Sequence, residues 1–170
     1  GDQCAMLGTF SKIVTPGMRI GWIACKEPTV KEKLLAYKTT MDLHTNIFCQ
    51  MVLEQFLQDN DLDAHIEKTR VLYKQKAEFM MDCMEKYFPE GVEYTKPEGG
   101  MFVWATLPEG VKAVDVQNEA IKEGIAVCAG DPFYEYERGV RTMRLNYSNS
   151  TDEAMEKGIK ILADVMKKMI

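Results

Sequence analysis

At 170 residues, 46% hydrophobic and 28% charged, the chain has an ordinary globular composition and room for one domain, or for one domain and part of a second. A net charge of −5 with no dense Lys/Arg run argues against a nucleic-acid partner. The longest apolar runs are too short to span a bilayer, and no signal-peptide pattern is present, so no membrane association or secretory leader is expected.

In chain order, Cys4–Leu7 and Ile20–Cys25 read as short buried strands, small and apolar and bounded by turn residues. Pro16-Gly17 between them is turn chemistry, with proline presetting φ and glycine free to take a positive φ. Pro28 opens a helix to about Lys38, and Asn46 caps a second one carrying Ile47, Met51 and Phe56 to about Gln58. "DNDLD" breaks it, and a long helix runs from Leu62 to Tyr87 with Leu62, Ile66, Thr69, Tyr73, Met80, Met84 and Tyr87 near one stripe. Pro89 and Gly91 end that helix.

The second half reads differently. Met101–Leu107 is a strand, Asp115–Lys122 a short helix closed by Gly124, and Ile125–Cys128 another strand. Thr142–Tyr147 alternates, with Met143, Leu145 and Tyr147 on one face and Arg144 and Asn146 on the other. Ser150-Thr151-Asp152-Glu153 reads as a capping box before a last amphipathic helix with Met155, Ile159, Leu162 and Met166 inward. This half suggests a small α+β layer, a sheet with helices on it, whereas the first 60 residues look like pieces of a larger α/β sheet.

Five scattered cysteines with no C-x-x-C read as reduced thiols of a cytoplasmic protein. His44 and His65 lack spaced ligand partners, so no metal site is expected. The chain begins with Gly1 and turns apolar at once, which reads as a piece of a longer polypeptide.

The chemistry concentrates in "TFSKIVTPGMRIGW", Thr9 to Trp22. Two cations held close together suggest an anion between them, or something that consumes the lysine's charge. Lys12 could condense with an aldehyde as a neutral amine, and Arg19 offers a planar fork suited to phosphate. Thr9 and Ser11 add hydroxyl donors to the same anion. An aldehyde and a phosphate on one small ring describe pyridoxal 5′-phosphate. On spacing alone, a solvated surface pair remains the competing reading.

The stretch "LGTFSKIVTPGMRIGWI" resembles the cofactor-lysine region of fold-type I pyridoxal-phosphate-dependent aminotransferases, S-x-S-K followed by P-G-x-R-x-G. The resemblance continues through "PEGGMFVW", "AGDPFYEY" and "TMRLNYS" to the last helix, and is especially close to the 2-aminoadipate, kynurenine and aromatic aminotransferase branch. It implies an α/β protein made of the C-terminal end of the large cofactor domain (residues 1–60) and the complete small α+β domain (61–170). It implies that Lys12 is the Schiff-base lysine, that Thr9, Ser11 and Arg19 bind the cofactor, with Thr9 where serine is common, and that Arg144 binds the substrate α-carboxylate. Substrates would be an amino acid and a 2-oxo acid, and the full-length protein a homodimer.

In the family, the ring-stacking group and the acidic partner of the pyridine nitrogen precede the lysine strand. Neither falls within these 170 residues, so the chain alone is expected to be inactive. Phe102, Trp104, Phe133 and Tyr134 could line the pocket, though strand aromatics more often belong to a core. Asn46 could reach a dimer partner's site, although a helix cap is the simpler role. Two other readings share these motifs: a different fold-type I enzyme such as a carbon–sulfur lyase or decarboxylase, and the sensor domain of a MocR-type transcription regulator.

Overall fold

The computed structural model describes residues 4–136 and 140–170. The chain divides into two compact units, Gly1–Glu67 and Lys68–Ile170.

The first unit opens with an antiparallel pair, β1 (Ala5–Thr9) and β2 (Gly21–Cys25), in which Gly8 stands opposite Trp22. A Cβ on Gly8 would lie inside the Trp22 indole, so only glycine lets that ring close over the strand. Both strands were expected to be buried, yet they are largely exposed, since the described residues place no layer over them. Helix α1 (Pro28–Met41) starts at Pro28, with the Glu27 carboxylate accepting from the Thr29 N–H at 3.3 Å, and runs three residues beyond its expected end. Helix α2 (Ile47–Asp59) is capped by Asn46, whose Oδ1 accepts from the Cys49 N–H at 3.0 Å.

Helix α3 (Leu62–Tyr87) has the bounds its sequence implies. The Asp61 carboxylate starts it by accepting from the N–H groups of Asp63 and Ala64. Its stripe is buried only where it enters the second unit, at Ala77, Met80, Cys83 and Met84.

The second unit is a four-stranded antiparallel sheet of order β3-β4-β6-β5, built from β3 (Glu93–Tyr94), β4 (Phe102–Thr106), β5 (Cys128–Ala129) and β6 (Thr142–Asn146). Helices α4 (Ala113–Lys122) and α5 (Asp152–Lys167), with α3, share its core. Alternation decides which side chains enter. Val103, Ala105, Met143 and Leu145 point into the core and meet Met84, Val116, Ala120, Ile159 and Leu162. The residues between them, Phe102, Trp104 and Arg144, belong to the opposite face.

Two expectations need correction, and one strand was not anticipated. Strand Ile125–Cys128 is instead Cys128–Ala129, because Ile125 still closes α4 by donating to the Ala120 carbonyl at 2.9 Å. Residues Glu93–Tyr94 form a strand too short to show alternation. The cap of α5 is Thr151, not Ser150: its hydroxyl accepts from the Ala154 N–H at 3.3 Å, moving the start one residue along.

Candidate active site

Strand β1 delivers the chain directly into the connection that carries Lys12. The Phe10 N–H donates to the Ile20 carbonyl at 3.1 Å, while Val14 and Thr15 both donate to the Phe10 carbonyl, so the connection is tied at its base. The Thr9 hydroxyl works within this loop. It accepts from the Ser11 N–H at 3.1 Å, and lies 3.1 Å from the Ser11 hydroxyl and 3.4 Å from the Ile20 carbonyl. Ser11 Oγ can serve as the acceptor of that pair, which leaves its own proton free to donate outward.

Pro16–Met18 form a single 3-10 turn. Gly17 does not use its freedom to take a positive φ, and Arg19 does, with φ 55° and ψ 44°. A left-handed conformation costs a non-glycine residue about 1–2 kcal/mol. Here it is held by the Arg19 N–H donating to the Pro16 carbonyl at 3.3 Å and by the guanidinium donating to the same carbonyl at 3.0 Å. Lys12 and Arg19 are exposed, and among the described residues neither has a carboxylate partner. The structure thus puts Thr9, Ser11, Lys12 and Arg19 on one hydrogen-bonded connection.

Arg144 occupies the middle of β6, opposite Trp104 on one side and Cys128 on the other. Its guanidinium lies 4.2 Å from the Phe102 ring centre and 4.8 Å from that of Phe133. Such contacts are worth about 0.5–2 kcal/mol. Among the described residues the Arg144 guanidinium has no hydrogen-bond or ion-pair partner, so its donors remain free for an anion.

The aromatic residues that the sequence left between pocket and core are on this open face. Phe133 is 50% and Tyr134 38% exposed, and Trp104 meets the Phe133 ring edge-on at 5.5 Å. The signal was in the strand parity: Phe102 and Trp104 alternate with Val103 and Ala105, and the smaller aliphatic pair is what fills the core. Asn46 is engaged as the α2 cap. Among the described residues no three His, Cys, Asp or Glu side chains gather as a metal site would need, and no helix is long and apolar enough to cross a membrane.

The family model for aminotransferase class I and II matches residues 1–162. The chain belongs to this family. Its similarity to aromatic-amino-acid aminotransferase 1 of Thermococcus litoralis is 44% identity over 95% of the chain and 38% of that protein. The crystal structure of LysN, the alpha-aminoadipate aminotransferase of Thermus thermophilus, complexed with N-(5'-phosphopyridoxyl)-L-leucine, superposes with a TM-score of 0.91 at 33% identity, over 97% of this chain and 42% of that one. At lower identity, 29% over 96% of the chain and 33% of the relative, it resembles an uncharacterised HTH-type transcriptional regulator of Bacillus subtilis, YdfD. The chain therefore spans about 40% of the length of the aminotransferases it resembles, and its mixed helix-and-sheet architecture is that of the family.

Proposed function

We propose that this chain supplies the cofactor lysine and the carboxylate-binding small domain of a pyridoxal-phosphate-dependent aminotransferase that exchanges an amino group between an α-amino acid and a 2-oxo acid. The observation that carries the reading is the connection after β1: a lysine, an arginine and two hydroxyls on one tied loop, with no described carboxylate to neutralise the cations. That donor set fits a ring carrying an aldehyde and a phosphate. Residues 1–60 are read as the end of the large domain and 61–170 as the small one, the full-length protein as a homodimer, and its compartment as the cytoplasm.

In this reading Lys12 Nζ holds the aldehyde carbon of the cofactor. The Ser11 hydroxyl and the Arg19 guanidinium hold its phosphate, and Thr9 orients Ser11 through the loop bonds described above. Arg144 pairs with the substrate α-carboxylate through two parallel N–H donors, which fixes the direction of the Cα–H bond. The cofactor, when bound, supplies an electron sink for the carbanion formed at Cα. As a free amine beside Cα, Lys12 Nζ would accept the Cα proton and donate it back, acting in turn as general base and general acid. The 170 residues alone do not complete the site and are proposed to be inactive.

A sensor domain built on the same fold is the second reading, favoured by the likeness to a transcriptional regulator. Borohydride reduction of the full-length holoprotein, followed by peptide mapping, is expected to place a pyridoxyl group on Lys12, and a label on another lysine overturns the assignment. Turnover of an amino acid with a 2-oxo acid by the same preparation separates the enzyme from the sensor.

A further inference from the structure

The short turn Asp131–Phe133 is the least expected part of the Arg144 environment. It leaves β5 through Gly130, whose N–H donates to the Thr142 carbonyl at 2.7 Å. A Cβ at Gly130 would run into the Thr142 hydroxyl, so glycine lets the turn lie directly on the start of β6. The turn is closed by the Phe133 N–H donating to the Gly130 carbonyl at 2.9 Å. This delivers the Phe133 ring to the Arg144 guanidinium, and the Trp104 ring meets Phe133 edge-on at 5.5 Å. Phe133 is half exposed, so core packing does not account for where it sits.

We infer that Phe133, braced by Trp104 and seated by Gly130, is a positioning residue that orients the Arg144 guanidinium for a carboxylate. The inference rests on the carboxylate role proposed for Arg144. An arginine has many side-chain rotamers, and a free guanidinium on an open sheet face would sample them at an entropic cost on binding. Two ring faces restrict that sampling without consuming a single N–H donor, which a carboxylate partner would do. Phe102 supplies one face from β4, and Phe133 supplies the second from outside the sheet.

The test uses the full-length protein and a non-reacting probe, 3-phenylpropionate, titrated by calorimetry. The companion readout is the Arg144 Nε–H resonance by NMR. Phe133→Leu is expected to weaken the probe by about 3- to 10-fold and to broaden the Nε–H signal, while Phe133→Tyr restores both. Trp104→Phe, which keeps an apolar ring, is expected to give a smaller loss in the same direction. Arg144→Ala is expected to remove the carboxylate's contribution, so that the probe binds no better than 3-phenylpropanol. If Phe133→Leu and Trp104→Phe are both folded and leave affinity and resonance unchanged while Arg144→Ala weakens the probe, the positioning role is overturned and the carboxylate role stands. If Arg144→Ala leaves the probe unaffected, the carboxylate role falls and the positioning role with it.

Discussion

Glu156 and Arg144 show what neighbours do to a single charge. Arg144 is left without a described anion, whereas Glu156 is heavily served. Its carboxylate accepts from the Tyr87 hydroxyl at 2.5 Å and lies 3.0 Å from the Lys160 ammonium and 3.9 Å from that of Lys86. The Tyr87 hydrogen bond first, then the Lys160 bond and charge, hold the Glu156 carboxyl below its ordinary value of 4.5. A depressed folded-state value means that the stabilisation is fully present above the unfolded value and is lost as pH falls through the folded one. The link joins α3 to α5 across the second unit, so its loss should register in unfolding. The urea midpoint of Glu156→Gln should fall below that of the parent near neutrality, and the gap should close from about pH 5 downward. A gap that stays constant with pH would mean that the charge contributes nothing and that the loss comes from the different hydrogen bonding of the amide.

At the scale of elements, the β1–β2 pair decides where Lys12 emerges, because Thr9 is at once the last residue of β1 and the organiser of the loop. Its register depends on Gly8 and Trp22 facing each other. Gly8→Ala forces the indole aside, an overpacking cost of roughly 1–3 kcal/mol. The pair has little core beneath it, so the loss should appear as local opening of the hairpin and not as global unfolding. Faster amide exchange at Met6 and Ala24, a hydrogen-bonded pair of the ladder, is the expected outcome in Gly8→Ala. Trp22→Ala added to it should cost less than the sum of the two single changes, since the clash is then gone. Strict additivity would show that the two residues do not interact.

Across the whole molecule, burial is distributed unevenly. The described hydrophobic core lies between Ala77 and Met166, whereas among the described residues of the first unit only Ile20 and Leu53 are buried hydrophobic residues. That unit exposes Leu7, Met41 and Phe48 at 74%, 83% and 75%. Apolar surface of this kind, beside a two-stranded pair with open edges, promotes association. The purified 170-residue chain is expected to self-associate in light scattering as concentration rises, and to show no transamination with pyridoxal phosphate added. A clean monomer with slow amide exchange across residues 5–25 would contradict the first outcome. Robust turnover would contradict the second and show that the site is built differently.

The sequence by itself determined whatever depends on local periodicity and on short motifs. The bounds of α3, the inward set of α5 and the alternation of β6 follow from residue spacing, and the structure keeps all three. The lysine loop was legible because hydroxyl, amine and guanidinium stand within one short connection, where chain proximity ensures spatial proximity. Only the tertiary structure decided the rest. Which face of β4 meets the core depends on the helices that cover it, so the sequence left Phe102 and Trp104 between pocket and core, and they stand on the open face. Phe133 reaches Arg144 through a turn seated on the start of β6, a contact that no local periodicity announces. The left-handed residue of the loop is Arg19, held there by two hydrogen bonds to the Pro16 carbonyl that the sequence does not announce.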